Sequence, residues 1–186
     1  MSTQTMATPT LTGDYDVDPS HTRVGFAAKH AMVTTVRGTF KDFTAEAHLD
    51  EENVANSSVR VEIQTASIDT GNSQRDEHLR NGDFLEVEAY PTITFQSTQV
   101  EQVDDDTYAV TGDLTIKGRS KPVTVKFEKT GAADDPWGNF RVGFEGKTVI
   151  NRKDWGVNFN VALEAGGLLV SEKVTLEFDV AAVRRK

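Results

Sequence analysis

The sequence predicts an all-β protein, a closed eight-stranded antiparallel β-barrel with one short helix at a barrel end. Three observations carry that prediction. From Val24 onward, apolar and polar residues alternate in run after run, the period-2 signature of strands with one face against a core. A single stretch, Ile68 to Phe95, breaks that pattern into something helical, so the chain has no helices to cover the greasy face of an open sheet. Such a sheet must close on itself or stack on a second one; runs of roughly ten residues suit a tall barrel, and closure removes the edges.

In chain order, residues 1–12 are Ser- and Thr-rich, hold no Lys or Arg and no apolar run, and read as a disordered tail ahead of a single domain over 13–183. No secretory signal is legible in them, so a cytoplasmic location is expected. Val24, Phe26 and Ala28 share one face, and Val36, Gly38 and Phe40 continue the even positions. Phe43, Ala45, Ala47 and Leu49 are odd, so the inward parity switches near Lys41-Asp42 and predicts a bulge or sharp bend there. Val59, Val61 and Ile63 form one further one-sided strand, and Ile93 and Phe95 begin another.

Between them, Ser73 and Asp76 have the capping-box spacing, Asp76 and Glu77 place negative charge in a first turn, and Gly82 marks a stop. A two-turn helix from Gln74 to Asn81 is expected, followed by Asp83-Phe84-Leu85, with Leu79, Phe84 and Leu85 facing in as a lid over one barrel mouth. After the acidic turn Asp104-Asp105-Asp106, a long hairpin is predicted through Tyr108, Val110, Gly112, Leu114 and Ile116, round Gly118, and back through Val123, Val125 and Phe127. A loop from Ala132 to Asn139 leads to Phe140, Val142 and Phe144, and the last strand places Val174, Leu176, Phe178 and Val180 on one face.

Composition excludes several functions. There is no cysteine, which rules out disulfides, thiolate catalysis and Cys-ligated zinc. Lys+Arg 20 against Asp+Glu 29 gives a formal net charge of -9, a surface that repels phosphate backbones, so no nucleic-acid partner is expected. Arg184-Arg185-Lys186 reads as a solvated tail. No apolar run is long enough to span a membrane. The histidines His21, His30, His48 and His78 form no HExxH and no helical i, i+4 pair, so no metal is assigned.

Arg75, Asp76 and His78 invite a triad reading, but no Gly-x-Ser-x-Gly elbow exists, and Lys117-Gly118-Arg119-Ser120 lacks the spacing of a phosphate loop. An ion pair from Arg75 or Arg152 to an acidic partner, fixing the helix to the barrel end, is the expected structural role; a contact to a ligand's head group is the other. Trp137 and Trp155 are expected to pack in hairpins. Asn56-Ser57-Ser58 matches a glycosylation acceptor that has meaning only in an exported protein.

The inferred inward set holds Val24, Phe26, Ala28, Phe40, Val61, Ile63, Leu79, Phe84, Ile93, Phe95, Val110, Leu114, Val125, Phe127, Val142, Phe144, Leu176 and Phe178, with Gly112, Gly146 and Ala165 as further small positions. An eight-stranded barrel is just wide enough to be filled by such side chains or to hold one slender apolar ligand, and periodicity does not separate the two.

A family resemblance favours the ligand. Asp18-Pro19-Ser20-His21-Thr22-x-Val24-x-Phe26 with His30, Val36-Arg37-Gly38-x-Phe40, Arg75-Asp76-x-His78-Leu79 with Asp83-Phe84-Leu85 and Tyr90-Pro91-Thr92-Ile93-Thr94-Phe95, Gly112-Asp113-Leu114-Thr115-Ile116-Lys117-Gly118 with Lys121-Pro122-Val123, and Ile150-Asn151-Arg152-Lys153-Asp154-Trp155-Gly156 occur in that order. Together they resemble the bacterial YceI-like family over about Gly13 to Val183. The resemblance implies a lipocalin-like barrel that binds a polyisoprenoid, a prenyl lipid or isoprenoid quinone, in its lumen as carrier or reservoir without catalysis, and with no cofactor besides that lipid. The alternative is an enzyme acting on an isoprenoid or another small apolar substrate, with Asp76, His78, His30 or Arg152 as the polar groups. A filled barrel working through protein contacts, and a homodimer, stay open.

Overall fold

The computed structural model describes residues 10–164 and 166–186; residues 1–9 of the expected tail, and Ala165 of the expected lumen set, lie outside the described residues. Eleven strands form one sheet: β1 Gly13–Val17, β2 Arg23–His30, β3 Thr34–Phe40, β4 Phe43–Leu49, β5 Ser58–Gln64, β6 Ile68–Asp69, β7 Thr92–Gln102, β8 Thr107–Ile116, β9 Arg119–Asp134, β10 Phe140–Asn151 and β11 Val170–Arg184. The ladder runs β1-β4-β5-β7-β8-β9-β10-β11 and returns to β1, a closed antiparallel ring of eight.

The remaining three strands extend that ring. β11 pairs with β1 at Ala182↔Val17 and with β2 at Phe178↔Val24, so β1 and β2 are one strand interrupted by the 3-10 turn Pro19–His21. Asp18 caps that turn by accepting from the Ser20 amide at 3.0 Å, and Pro19, which has no N–H to give, opens it. β3 pairs with β2 and β6 with β3, so β3–β4 and β5–β6 are likewise bent strands. The bend between β3 and β4 falls at Lys41-Asp42, where the inward parity switches: Lys41 donates to Ser67 O at 3.2 Å and Asp42 O accepts from Gln64 at 2.9 Å, in place of regular ladder bonds.

Several expectations change. The segment Gly13–Val17 is a strand, and Leu11, counted with the tail, is 5% exposed. β9 runs on to Asp134, past the expected loop start, and the turn closes on Asp135, whose carboxylate accepts from the amides of Trp137 and Asn139 at 2.9 Å. The helix α1 spans Ser73–Arg80 and its cap is Asn72, one residue before the expected box: the Asn72 side chain accepts from the Arg75 amide at 3.0 Å. Trp155 packs into the barrel core rather than within a hairpin, donating Nε1–H to Leu114 O at 2.8 Å, whereas Trp137 is 77% exposed.

Two apolar clusters sit inside the barrel. One reaches from the middle to the α1 end through Phe43, Ile63, Ile93, Ile150 and Trp155. The other fills the opposite end with Leu11, Tyr15, Phe140, Val142 and Ala182, and there the Tyr15 hydroxyl donates to Leu11 O at 2.7 Å. Fully burying a large apolar side chain stabilises by roughly 1.5–3 kcal/mol. Both ends are therefore closed by packed side chains, and the space left lies between them.

Candidate functional site

The space between the clusters is a cavity of about 180 Å³. Ten residues of the inferred inward set line it: Val24, Val61, Phe95, Val110, Leu114, Val125, Phe127, Phe144, Leu176 and Phe178. Phe127 and Phe178 face each other with ring centroids 5.9 Å apart. Two inward glycines make room. A Cβ added at Gly146 would lie 2.6 Å from the Phe127 ring, and one at Gly112 would lie 2.5 Å from the Phe95 ring. Each ring thus leans on bare backbone instead of projecting across the lumen.

The other eight do not reach this cavity. Ile63 and Ile93 belong to the packed α1 end, Phe26 and Phe40 stack on each other at 5.7 Å beyond it, and Ala28 lies further along β2. Val142 is 1% exposed within the opposite plug. Strands this long cross more side-chain layers than one cavity occupies, so correct parity does not by itself place a residue on the cavity wall. Residues that parity could have added are Val17, Val59, Val100, Tyr108 and Val180, together with Phe43, Ala45 and Ala47. The loop residues Asp50, Glu51, Val54 and Ser57 also line it, and no periodic signal marks them.

The lid expectation is corrected by the same geometry. Leu79 and Phe84 do not line the cavity. Phe84 is buried in a trio with His78 and Phe159, at ring separations of 5.0 Å (His78–Phe84), 4.9 Å (His78–Phe159) and 5.1 Å (Phe84–Phe159). What borders the cavity at its other end is the loop after β4, with Leu11 lying across it: Glu51 Oε2 accepts from the Leu11 amide at 2.9 Å, and the Glu51 amide donates to Thr12 Oγ1 at 3.0 Å.

The polar candidates are dispersed. Arg75 donates to Thr70 Oγ1 at 2.7 Å and Thr70 O at 2.8 Å, and Asp76, 6% exposed, accepts from the Thr70 amide at 2.9 Å. His78 Nε2 meets Asp83 Oδ2 at 2.8 Å, and His30 is exposed at the end of β2. Arg152, 6% exposed, donates to Val157 O at 2.6 Å, Ser171 O at 2.9 Å and Val170 O at 3.2 Å, and burial pushes its pKa down. The expected ion pairs of Arg75 and Arg152 are thus replaced by backbone carbonyls and a threonine hydroxyl. The chain leading into β11 leaves carbonyls outside the ladder, and a guanidinium's fork of donors satisfies several at once. None of the five lines the cavity. Among the described residues no group of three His, Asp or Glu is placed to hold a metal ion.

The model of the YceI-like domain matches residues 15–182. The chain belongs to the YceI-like family. Protein YceI of Escherichia coli O157:H7 is 41% identical over 178 residues, covering 95% of this chain and 90% of its own. Among solved structures, Burkholderia cenocepacia BcnA superposes with a TM-score of 0.79 at 27% identity, over 89% of this chain and 99% of that one. A polyisoprenoid binding domain from Saccharophagus degradans gives a TM-score of 0.68 at 14% identity, over 92% and 98%, a likeness of fold. The eight-stranded ring described above is thus the YceI-like barrel.

Proposed function

We propose that this YceI-like barrel binds the hydrocarbon chain of a polyisoprenoid, a prenyl lipid or isoprenoid quinone, in its lumen and serves as a carrier or reservoir without chemistry of its own. The observation that carries the reading is the apolar cavity to which all eight strands of the ring contribute. Its fold likeness to a protein described as a polyisoprenoid binding domain supports the ligand class. Burial of each methylene stabilises by roughly 0.8 kcal/mol, so even one isoprene unit is a substantial gain before ordering costs are subtracted. At about 180 Å³ the cavity is on the scale of the ~150 Å³ apolar cavity known to take up benzene. It accepts the first units of a tail as it stands.

The reading without catalysis is supported by placement. Asp76, His78 and Arg152 are held by different partners and His30 is exposed, all four off the cavity wall, so an enzymatic role for them would act on something other than the lumen's occupant. The test is solvent extraction and mass spectrometry of protein produced in bacteria. The expected result is a prenyl lipid in near-stoichiometric amount from the wild type and a marked loss from Val125→Trp, which fills the cavity. A well-folded wild type that repeatedly yields no lipid contradicts the proposal.

A further inference from the structure

The two ends of the cavity are closed by different means. At the α1 end the closing residues stand on ladder strands, apart from Trp155, which is fixed there by its bond to Leu114 O. At the opposite end Leu11, 5% exposed, lines the cavity from outside the ladder. The pairing of β1 with β4 stops at Gly13↔Leu49, and among the described residues Thr10, Leu11 and Thr12 make no backbone-to-backbone hydrogen bond.

Side-chain bonds tie this segment down instead. Glu51 Oε2 accepts from the Leu11 amide at 2.9 Å and Thr12 Oγ1 accepts from the Glu51 amide at 3.0 Å. The Tyr15 hydroxyl donates to Leu11 O at 2.7 Å, and Arg184 Nη1 donates to Thr10 O at 2.9 Å. All but the Tyr15 bond lie at exposed or half-buried positions, where water replaces a lost partner. Gly13 joins the segment to β1 with a φ of +152°, a backbone conformation that favours glycine. Thr10 to Thr12 is therefore a short strap with a hinge at its ladder end, and a segment so held opens at a fraction of the free energy that unfolds the barrel.

Resting on the lipid-binding reading, we propose that Thr10 to Thr12 swings about Gly13 and withdraws Leu11 from the cavity wall, so that a prenyl chain enters and leaves the lumen by this end. Closed, the Leu11 side chain completes the apolar wall and shuts the ligand off from water. Opening breaks side-chain bonds alone and leaves every ladder pair of the barrel intact. A passage at the α1 end would have to part paired strands or break the buried Trp155 bond.

Two measurements on delipidated full-length protein separate the motion from its role. Hydrogen exchange read by NMR should show the Leu11 amide exchanging at least about tenfold faster than that of Val142, which lies in the middle of the ladder. The prenyl alcohol farnesol then tests the role, its association followed after rapid mixing and its dissociation into a chase of the deuterated alcohol, both by native mass spectrometry. Thr12→Val deletes the hydroxyl that holds the Glu51 amide and should raise both rates by about three- to tenfold, the contribution of one neutral hydrogen bond, with their ratio unchanged. Loss of a mere wall contact would raise dissociation alone. Leu11→Ala should speed association as well as dissociation, and Asn72→Ala, which removes the cap of α1, should change neither. A Leu11 amide as slow as that of Val142, wild-type rates in Thr12→Val, or equal acceleration by Asn72→Ala overturns the strap while leaving lipid binding intact. If farnesol does not bind the wild type, the lipid reading falls and the strap's role goes with it.

Discussion

Asp18 shows how much a single side chain does at the barrel's first bend. It caps the turn between β1 and β2 through Ser20, receives Arg141 Nη1 at 2.9 Å and bonds His21 Nδ1 at 3.0 Å; these contacts, Ser20 first, hold its carboxyl far below the usual range. Arg141 also reaches Asp135 at 2.7 Å and, with the Asn139 amide, holds that carboxyl down at about 2. Both folded pKa values are depressed, so the stabilisation is complete above the unfolded value of about 4 and drains away as pH falls below it. Thermal unfolding midpoints followed from about pH 6 to about pH 2 should therefore fall for the wild type and fall less for Asp18→Asn. Equal slopes for the two proteins would count against this account. At this scale the sequence was only partly legible. Arg75, Asp76 and Arg152 stood out as charged residues in motifs, but their partners are a threonine and backbone carbonyls brought close by the fold, and a carbonyl has no signature in a sequence.

Among the strands, legibility followed the length of the alternating run. The parity switch at Lys41-Asp42 was readable because seven residues on each side keep a strict phase. β1 was not, because Gly13–Val17 offers only Tyr15 and Val17 between aspartates. The loop after β4 carries no period at all, yet it borders the cavity. The pairing of β9 with β10 sets Phe127 opposite Gly146, which leaves the ring room to lie along the wall. Gly146→Ala should push that ring into the lumen. We expect a loss of about 1–3 kcal/mol in urea unfolding, the usual cost of overpacking, together with less co-purified lipid. Unchanged lipid content in the folded variant would show that the Phe127 position does not set the cavity's capacity.

At the level of the whole molecule, closure was inferable from what the chain lacks: with one short helix, a one-sided sheet has no other way to hide its apolar face. Which layers of the closed barrel are solid was not inferable. The plug opposite α1 is built by Leu11 and Tyr15 meeting Phe140, Val142 and Ala182, residues more than a hundred positions apart, and the plug beside α1 depends on Trp155 folding back onto Leu114. Among the described residues no helix is long and apolar enough to cross a membrane. The central claim, that a hydrocarbon chain lies inside the barrel between these plugs, is tested most directly by isotope-filtered NMR contacts between labelled protein and an unlabelled prenyl alcohol. The account predicts contacts from the ligand to the methyl groups of Val61, Leu114, Val125 and Leu176 and none to Leu79; contacts confined to Leu79 or to the outer face of the sheet would contradict it.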